Sequence, residues 1–276
     1  MPEPFLIDVC GQFAPGQLHV HWRNEPRPPC PELDALVARV WEEQTEACRR
    51  AGRLLFNGRM VRYLGHQVSD GGFHIEGGST DFANFLATNL LNWRRGEELG
   101  WQWFSNPVGC STLPVTSDGL LLLGRRSQRV AFHAGYIHVI GGGLEEVDRR
   151  EDGTVDAFGA ARRELLEELM LAPEEVGEMV CLGMIRDPTI RQPELIFEAP
   201  LRLRWAEVAA RLGPDDPRQE HAALLACPDE AEAILPFIRS NLPITPVAVG
   251  ALCLHGRPRF GHAWYEQAVR ELSVSG

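Results

Sequence analysis

The chain contains no lysine; all 27 of its basic residues are arginine. A lysine nucleophile, a Schiff base and a P-loop lysine are therefore excluded, and several enzyme classes with them. Seven cysteines (10, 30, 48, 110, 181, 227 and 253) form no C-x-x-C pair. That odd, scattered set fits free or buried thiols in a reducing compartment, not a disulfide framework or a zinc site. Cys253-x-His255 is too sparse to argue for a metal. No apolar run reaches the ~18 residues of a membrane span, and no basic-then-apolar leader opens the sequence. The expectation is a soluble, cytoplasmic protein. A formal net charge of -11 and a pI of about 5.3 argue against a nucleic-acid or membrane partner.

What is present is ordinary globular material. The 276 residues are 44% hydrophobic and 24% charged, enough to bury one large core or two modest ones. FLIDV and QLHVHW read as a strand pair before the stiff turn PRPPCP. LDALVARVWEEQTEACRRAG is helical in period, and MVRYLGHQV and GGFHIEGG read as strands joined at SDGG. Ser79-Thr80-Asp81 offers a cap to FANFLATNLLNW, a helix expected to dock two domains, with Thr80 and Asn89 able to reach a cleft there. RRGEELGWQWFSNPVG marks the junction, giving an N-terminal α+β domain over 1–106 and a second domain over 107–276. Beyond it strands alternate with helices, which predicts a mixed α/β layer fold.

The stretch ARRELLEELML, residues 161–171, carries Glu164, Glu167 and Glu168. At about 100° per residue the three share one arc, with Phe158, Leu165, Leu166 and Leu169 opposite. A solvated amphipathic face explains that pattern alone. Yet carboxylates at this spacing repel one another, no basic residue lies within their arc, and Arg163 only flanks it. Ala160 and Ala161 fall on the same face a turn earlier, which would leave room for a ligand. Hard cations such as Mg²⁺ take oxygen ligands of this kind.

Gly141-Gly142-Gly143 followed by this helix resembles the Nudix box, G-x5-E-x7-R-E-U-x-E-E-x-G-U with U apolar. Arg163 to Glu168 match its core and Leu171 its last apolar position. Counted back from Arg163, the upstream glutamate falls at Val155, and Asp156 is the acid beside it. The connection from the glycines is longer than the strict spacing, and Met170 replaces the final glycine. DALVARVWEEQ, STDFANFLATN, NPVGCSTLPVTSDGLLLLGRRSQRV and QEH at 219–221 are similar to the Nudix hydrolases that cleave UDP-glucose and UDP-galactose.

The resemblance implies a Nudix-type α/β/α sandwich with a mixed sheet, behind a smaller α+β domain. It implies Mg²⁺, or Mn²⁺ in its place, held by Glu164, Glu167 and Glu168 with Asp156, while Arg163 positions a glutamate. Gly142 and Gly143 would approach phosphate closely. Arg125 and Arg129 (with Arg126) are candidates to clamp a diphosphate, Tyr136 or Phe132 to stack on a base, and Glu194 to add a carboxylate. His133, His138 and His221 are weaker candidates, since a lone histidine is more often structural. The implied reaction takes a UDP-sugar and water to UMP and a sugar 1-phosphate, in a monomer or homodimer with a nucleotide-sugar substrate. ADP-ribose or a dinucleotide is the alternative substrate, and a catalytically silent nucleotide-sugar-binding module the alternative class. At the helix end, Pro173 discourages helix at Ala172. The helix is expected to reach Met170 or Leu171 and leave without the glycine's left-handed turn.

Overall fold

The computed structural model describes residues 4–52, 54–69, 72–128, 132–211 and 221–274. The first half contains β1 (Leu6–Phe13), β2 (Leu18–Trp22), α1 (Pro31–Arg50), β3 (Arg59–Ser69), β4 (Gly72–Asp81), α2 (Phe82–Phe85) and α3 (Arg94–Leu99). Then come β5 (Gly109–Val115), β6 (Leu120–Arg126), β7 (Ile137–His138), β8 (Ile140–Gly143), β9 (Thr154–Val155) and α4 (Ala157–Leu169). The last part holds β10 (Val180–Arg186), β11 (Pro193–Pro200), α5 (Trp205–Ala209), β12 (His221–Pro228), α6 (Ala231–Ser240), α7 (Pro246–Phe260) and α8 (His262–Val274).

Among the described residues eight strands form one mixed sheet, ordered β1-β10-β11-β5-β6-β12, with β7 beside β6 and β8 beside β5. The pair β11/β5 is parallel and the others antiparallel. Alternation along β6 shows the two faces. Leu122 enters a core shared with Leu165 and Leu169 of α4, whereas Leu121 and Leu123 enter one shared with Ala251 and Leu252 of α7. Helices thus cover both faces of a mixed sheet, the α/β layering expected from the sequence. Helix α7 lies between that sheet and α8, which is why it is apolar nearly all round and buried from Val247 to Gly256.

A second sheet, β3-β4-β2-β9, packs Val20, Val61, Phe73 and Ile75 onto the α4 side. One expectation for the first 30 residues changes here. The strands β1 and β2 both form but do not pair: β1 joins β10 at the edge of the large sheet, and β2 joins β4. Both choices bury apolar residues (Val9 and Val20) that a two-stranded ribbon would leave wet. Strand pairings also span position 106/107, since β1 is hydrogen-bonded to β10 and β2 to β9. Among the described residues no helix is long and apolar enough to cross a membrane.

Candidate active site

Helix α4 starts where Asp156 accepts a hydrogen bond from Gly159 N at 2.9 Å. It ends at Leu169, and Met170 sits in the left-handed region with φ 53 and ψ 43. That corrects the expected exit: methionine adopts the backbone turn for which glycine is favoured. Its amide still caps the helix by donating to Leu166 O.

The three glutamates separate by environment. Glu164 and Glu168, one turn apart, face the glycine strand β8, while Glu167 is exposed. Glu164 comes so close to Gly142 that a Cβ there would stand 2.9 Å from its carboxyl carbon. Glu168 accepts from Gly141 N at 3.2 Å and from His221 Nε2 at 2.5 Å. Burial pushes Glu164 up to about 7, with Glu168 and Glu167 adding to the effect and Arg163 opposing it. The space expected over Ala160 and Ala161 is absent, for both are packed into the core at 1% and 0% exposure.

The cluster is not unneutralised, as the wheel suggested. Arg163 donates to Glu164 Oε1 at 2.6 Å and reaches Asp148 Oδ1 at 3.2 Å. Asp148 is anchored in turn by Glu145 N at 2.9 Å. It also stands six places after Gly142, the G-x5-acid spacing of the motif. Fourteen residues, 149–162, then separate Asp148 from Arg163 where the motif has seven. The additional length carries β9, which pairs with β2, and buries Val155 at 5% exposure. Counting back from Arg163 therefore landed in the insertion. Counting forward from Gly142 would have found Asp148. Asp156 serves as the helix cap and pairs with Arg150 at 2.8 Å instead of joining Glu164.

Glu194 opens β11 and is buried at 6% exposure. Ser111 donates to it at 2.6 Å, and a Cβ on Gly109 would lie 1.9 Å from its Oε2. Burial pushes it up to about 7; Ser111 and Arg126 pull the other way, and Asp187 adds to the rise. The two described arginine candidates have different surroundings. Arg125 follows Leu121 and Leu123 on the α7 face and donates to Gly135 O at 3.1 Å. Arg126, in register opposite His221, is the arginine whose charge acts on Glu194 and on His138. Arg129 lies outside the described residues.

His221, the weak candidate, stands against Glu168 on β12, and a Cβ on Gly124 would meet its ring at 2.2 Å. Its Nδ1 is buried without a hydrogen-bond partner. The rings of Phe132 and Tyr136 flank His133, whose Nε2 lies 3.2 Å from the buried Asp187. His138 bonds Thr245 Oγ1 at 2.7 Å, and burial holds its pKa well below the ordinary range. Thr80 and Asn89 are structural: Thr80 bonds Ser105, and Asn89 bonds Asn106 and Ile190 O.

Among the described residues no three His, Cys, Asp or Glu side chains form a ready metal-ligand set. The reason is local, since Arg163 occupies Glu164 while His221 and Gly141 N occupy Glu168. The donor chemistry nevertheless fits a hard divalent cation: two inward carboxylates at i and i+4 beside the glycines of β8.

No family profile and no curated protein matches this sequence. Solved structures similar to part of it include a Nudix hydrolase from Alicyclobacillus acidocaldarius, at 18% identity and TM-score 0.37, covering 55% of this chain and 91% of that one. A Nudix hydrolase from M. smegmatis, RenU, is similar at 15% identity and TM-score 0.32 over 61% and 84%. The Nudix domain of Shewanella oneidensis NrtR, complexed with ADP-ribose, is similar at 12% identity and TM-score 0.35 over 55% and 87%.

Proposed function

We propose that the chain is a divalent-metal-dependent hydrolase of the pyrophosphate bond in a nucleoside diphosphate derivative, and that its substrate is a UDP-sugar. One observation carries the reading: Glu164 and Glu168 face inward over β8, and Arg163 is braced by an aspartate at the G-x5 position. Glu164 and Glu168 would hold Mg²⁺, with Glu167 joining from the solvent side. Mg²⁺ bound there supplies the positive charge that pyrophosphate oxygens need before water can attack. Arg163 fixes the Glu164 carboxylate, and His221 fixes Glu168 through its Nε2–H. Glu194, pushed up to about 7, exchanges a proton near neutral pH and is the proposed base that takes one from water. Arg126 brings positive charge to bear on Glu194. UMP and a sugar 1-phosphate are the proposed products. We further propose that 107–276 carries the chemistry, with 1–106 as a smaller α+β unit that lends it β1, in a cytoplasmic monomer or homodimer.

A panel of nucleotide sugars with Mg²⁺ and phosphate-monoester readout tests this. Turnover of UDP-glucose or UDP-galactose, lost in Glu168→Gln with folding intact, supports it. Equal rates on UDP-sugars and ADP-ribose would overturn the uridine preference alone. The second reading, a silent nucleotide-sugar-binding module, draws on the occupied oxygens of Glu164 and Glu168. Binding without turnover under Mg²⁺ and Mn²⁺ would establish it.

A further inference from the structure

Beside the second sheet lies a cavity of about 770 Å³, lined by residues none of which belongs to the glutamate cluster. Its walls bring three features together. Arg62 is 5% exposed and makes no salt bridge among the described residues; its Nε and Nη2 donate to Phe104 O and Gln102 O at 3.3 and 2.6 Å. Burial holds its pKa below the ordinary arginine value. A buried cation satisfied only by carbonyls is costly, and an anion arriving beside it would lower that cost. Tyr63 and Trp101, both half-buried, line the same space, with His66 bonded to the Tyr63 hydroxyl at 2.6 Å. Arg186 stacks on Tyr63 at 4.8 Å. Of the cavity's two carboxylates, Glu76 is paired with Arg23 at 2.7 Å, and the exposed Glu25 favours the Arg62 charge but is outweighed by burial. Asn106, bonded through Asn89 to Ile190 O, adds an amide.

Two of the cavity's lining residues are near neighbours in sequence of residues at the candidate active site. Arg186 is followed by Asp187, the residue that faces His133 and acts on Glu194. Asn106 lies three places before Gly109, over which Glu194 sits.

We infer that this cavity binds the nucleoside monophosphate end of the substrate, with the base against Tyr63 or Trp101 and the phosphate drawn to Arg62. Size favours this, since such pockets span roughly 300–1,000 Å³. Aromatic faces take a base by stacking, and guanidinium takes phosphate by charge-assisted bonds. The inference rests on the proposed hydrolase reading for its link to turnover, but the binding itself is separable from it.

The test is titration calorimetry with UMP, AMP and ribose 5-phosphate in the absence of metal, on wild type, Arg62→Met and Trp101→Leu, with thermal unfolding alongside. The expected result is 1:1 binding of a nucleoside monophosphate, with ribose 5-phosphate weaker. Arg62→Met should lower affinity about tenfold or more, the factor carried by one hydrogen bond to a charged group. Trp101→Leu addresses the pocket independently should Arg62→Met fail to fold. Unchanged affinity in folded variants, or ribose 5-phosphate binding as well as UMP, overturns the inference. Lower stability without changed affinity means that Arg62 only staples residues 102–104, and also overturns it. Monophosphate binding lost in the variants, in a protein that hydrolyses nothing, leaves the pocket standing and removes the hydrolase. Hydrolysis whose KM is untouched by either variant does the reverse.

Discussion

Asp148 and Asp156 flank the same insertion, and their contacts assign them different work. Asp148 receives Arg163, which also holds Glu164, so its carboxylate acts on the cluster through the arginine. Asp156 accepts from the first turn of α4. Asp148→Asn should therefore lower turnover by about 10–100-fold, as loss of a group supporting a metal ligand does, with the fold kept. Asp156→Ala should cost about 1 kcal/mol of stability with turnover per folded molecule unchanged. Urea unfolding and kcat on both variants check this, and the reverse pattern would return the upstream acid to Asp156. The helix glutamates were legible because periodicity reports which residues share a face. The wheel could not tell that Glu167 stays wet, nor that Arg163 reaches back to Asp148, because both depend on what packs against the helix. Arg125 and Arg126 stand side by side as candidates because adjacent strand residues face opposite ways, and only a neighbour such as Leu122 shows which face each one shares.

At the scale of elements, the strands beside these side chains share one device. Glu164 stands over Gly142, Glu194 over Gly109 and His221 over Gly124, so three chemical side chains pack against strand positions that lack a Cβ. Gly124→Ala would place a methyl 2.2 Å from the His221 ring. It should destabilise by about 1–3 kcal/mol, as overpacking does, and loosen the Glu168 contact. Gly16→Ala, with nothing within 4 Å, is the control and should stay within about 0.5 kcal/mol by urea unfolding. The exit of α4 offers a gain in the opposite sense. Met170 holds a left-handed backbone at φ 53 with its side chain 48% exposed, so it loses little packing on truncation. Met170→Gly should relieve backbone strain and raise stability by about 0.5–1 kcal/mol, net of the added unfolded-state freedom, with kcat unchanged. A neutral or destabilising result would show that the methionine side chain supports the exit after all. Pro173 pointed correctly to an exit near 170. The turn type was not legible because Leu171, 7% exposed, must return to the core, and the left-handed residue is what turns it back.

Across the whole molecule, one buried histidine connects three separate parts of the α7 side. His255 of α7 is 1% exposed, with Nδ1 2.7 Å from Glu198 on β11 and Nε2 2.8 Å from Asp229 before α6. Both ring nitrogens face carboxylates, so the imidazolium donates twice and joins helix, sheet and loop. Burial pulls its pKa down, but the bonds to Asp229 and Glu198 outweigh burial and the net shift is upward. A histidine raised in the folded state stabilises in full below its unfolded pKa of about 6.5, and that stability is lost as pH rises through the folded value. Glu164 and Glu194 act in the same direction but in a lower window, since their pKa values rise from 4.5 to about 7 on folding. His138, held well below 6.5 by burial, acts in the opposite direction through the same lower window, so His255 is read from the difference between variant and wild type. By urea midpoint, His255→Gln should be less stable than wild type at pH 6, and the difference between the two should shrink above neutrality. The carboxylate and His138 contributions remain in both proteins and cancel in the comparison. Parallel midpoint curves from pH 6 to 9 would mean that His255 is neutral when folded and that Glu198 and Asp229 hold it through a single proton.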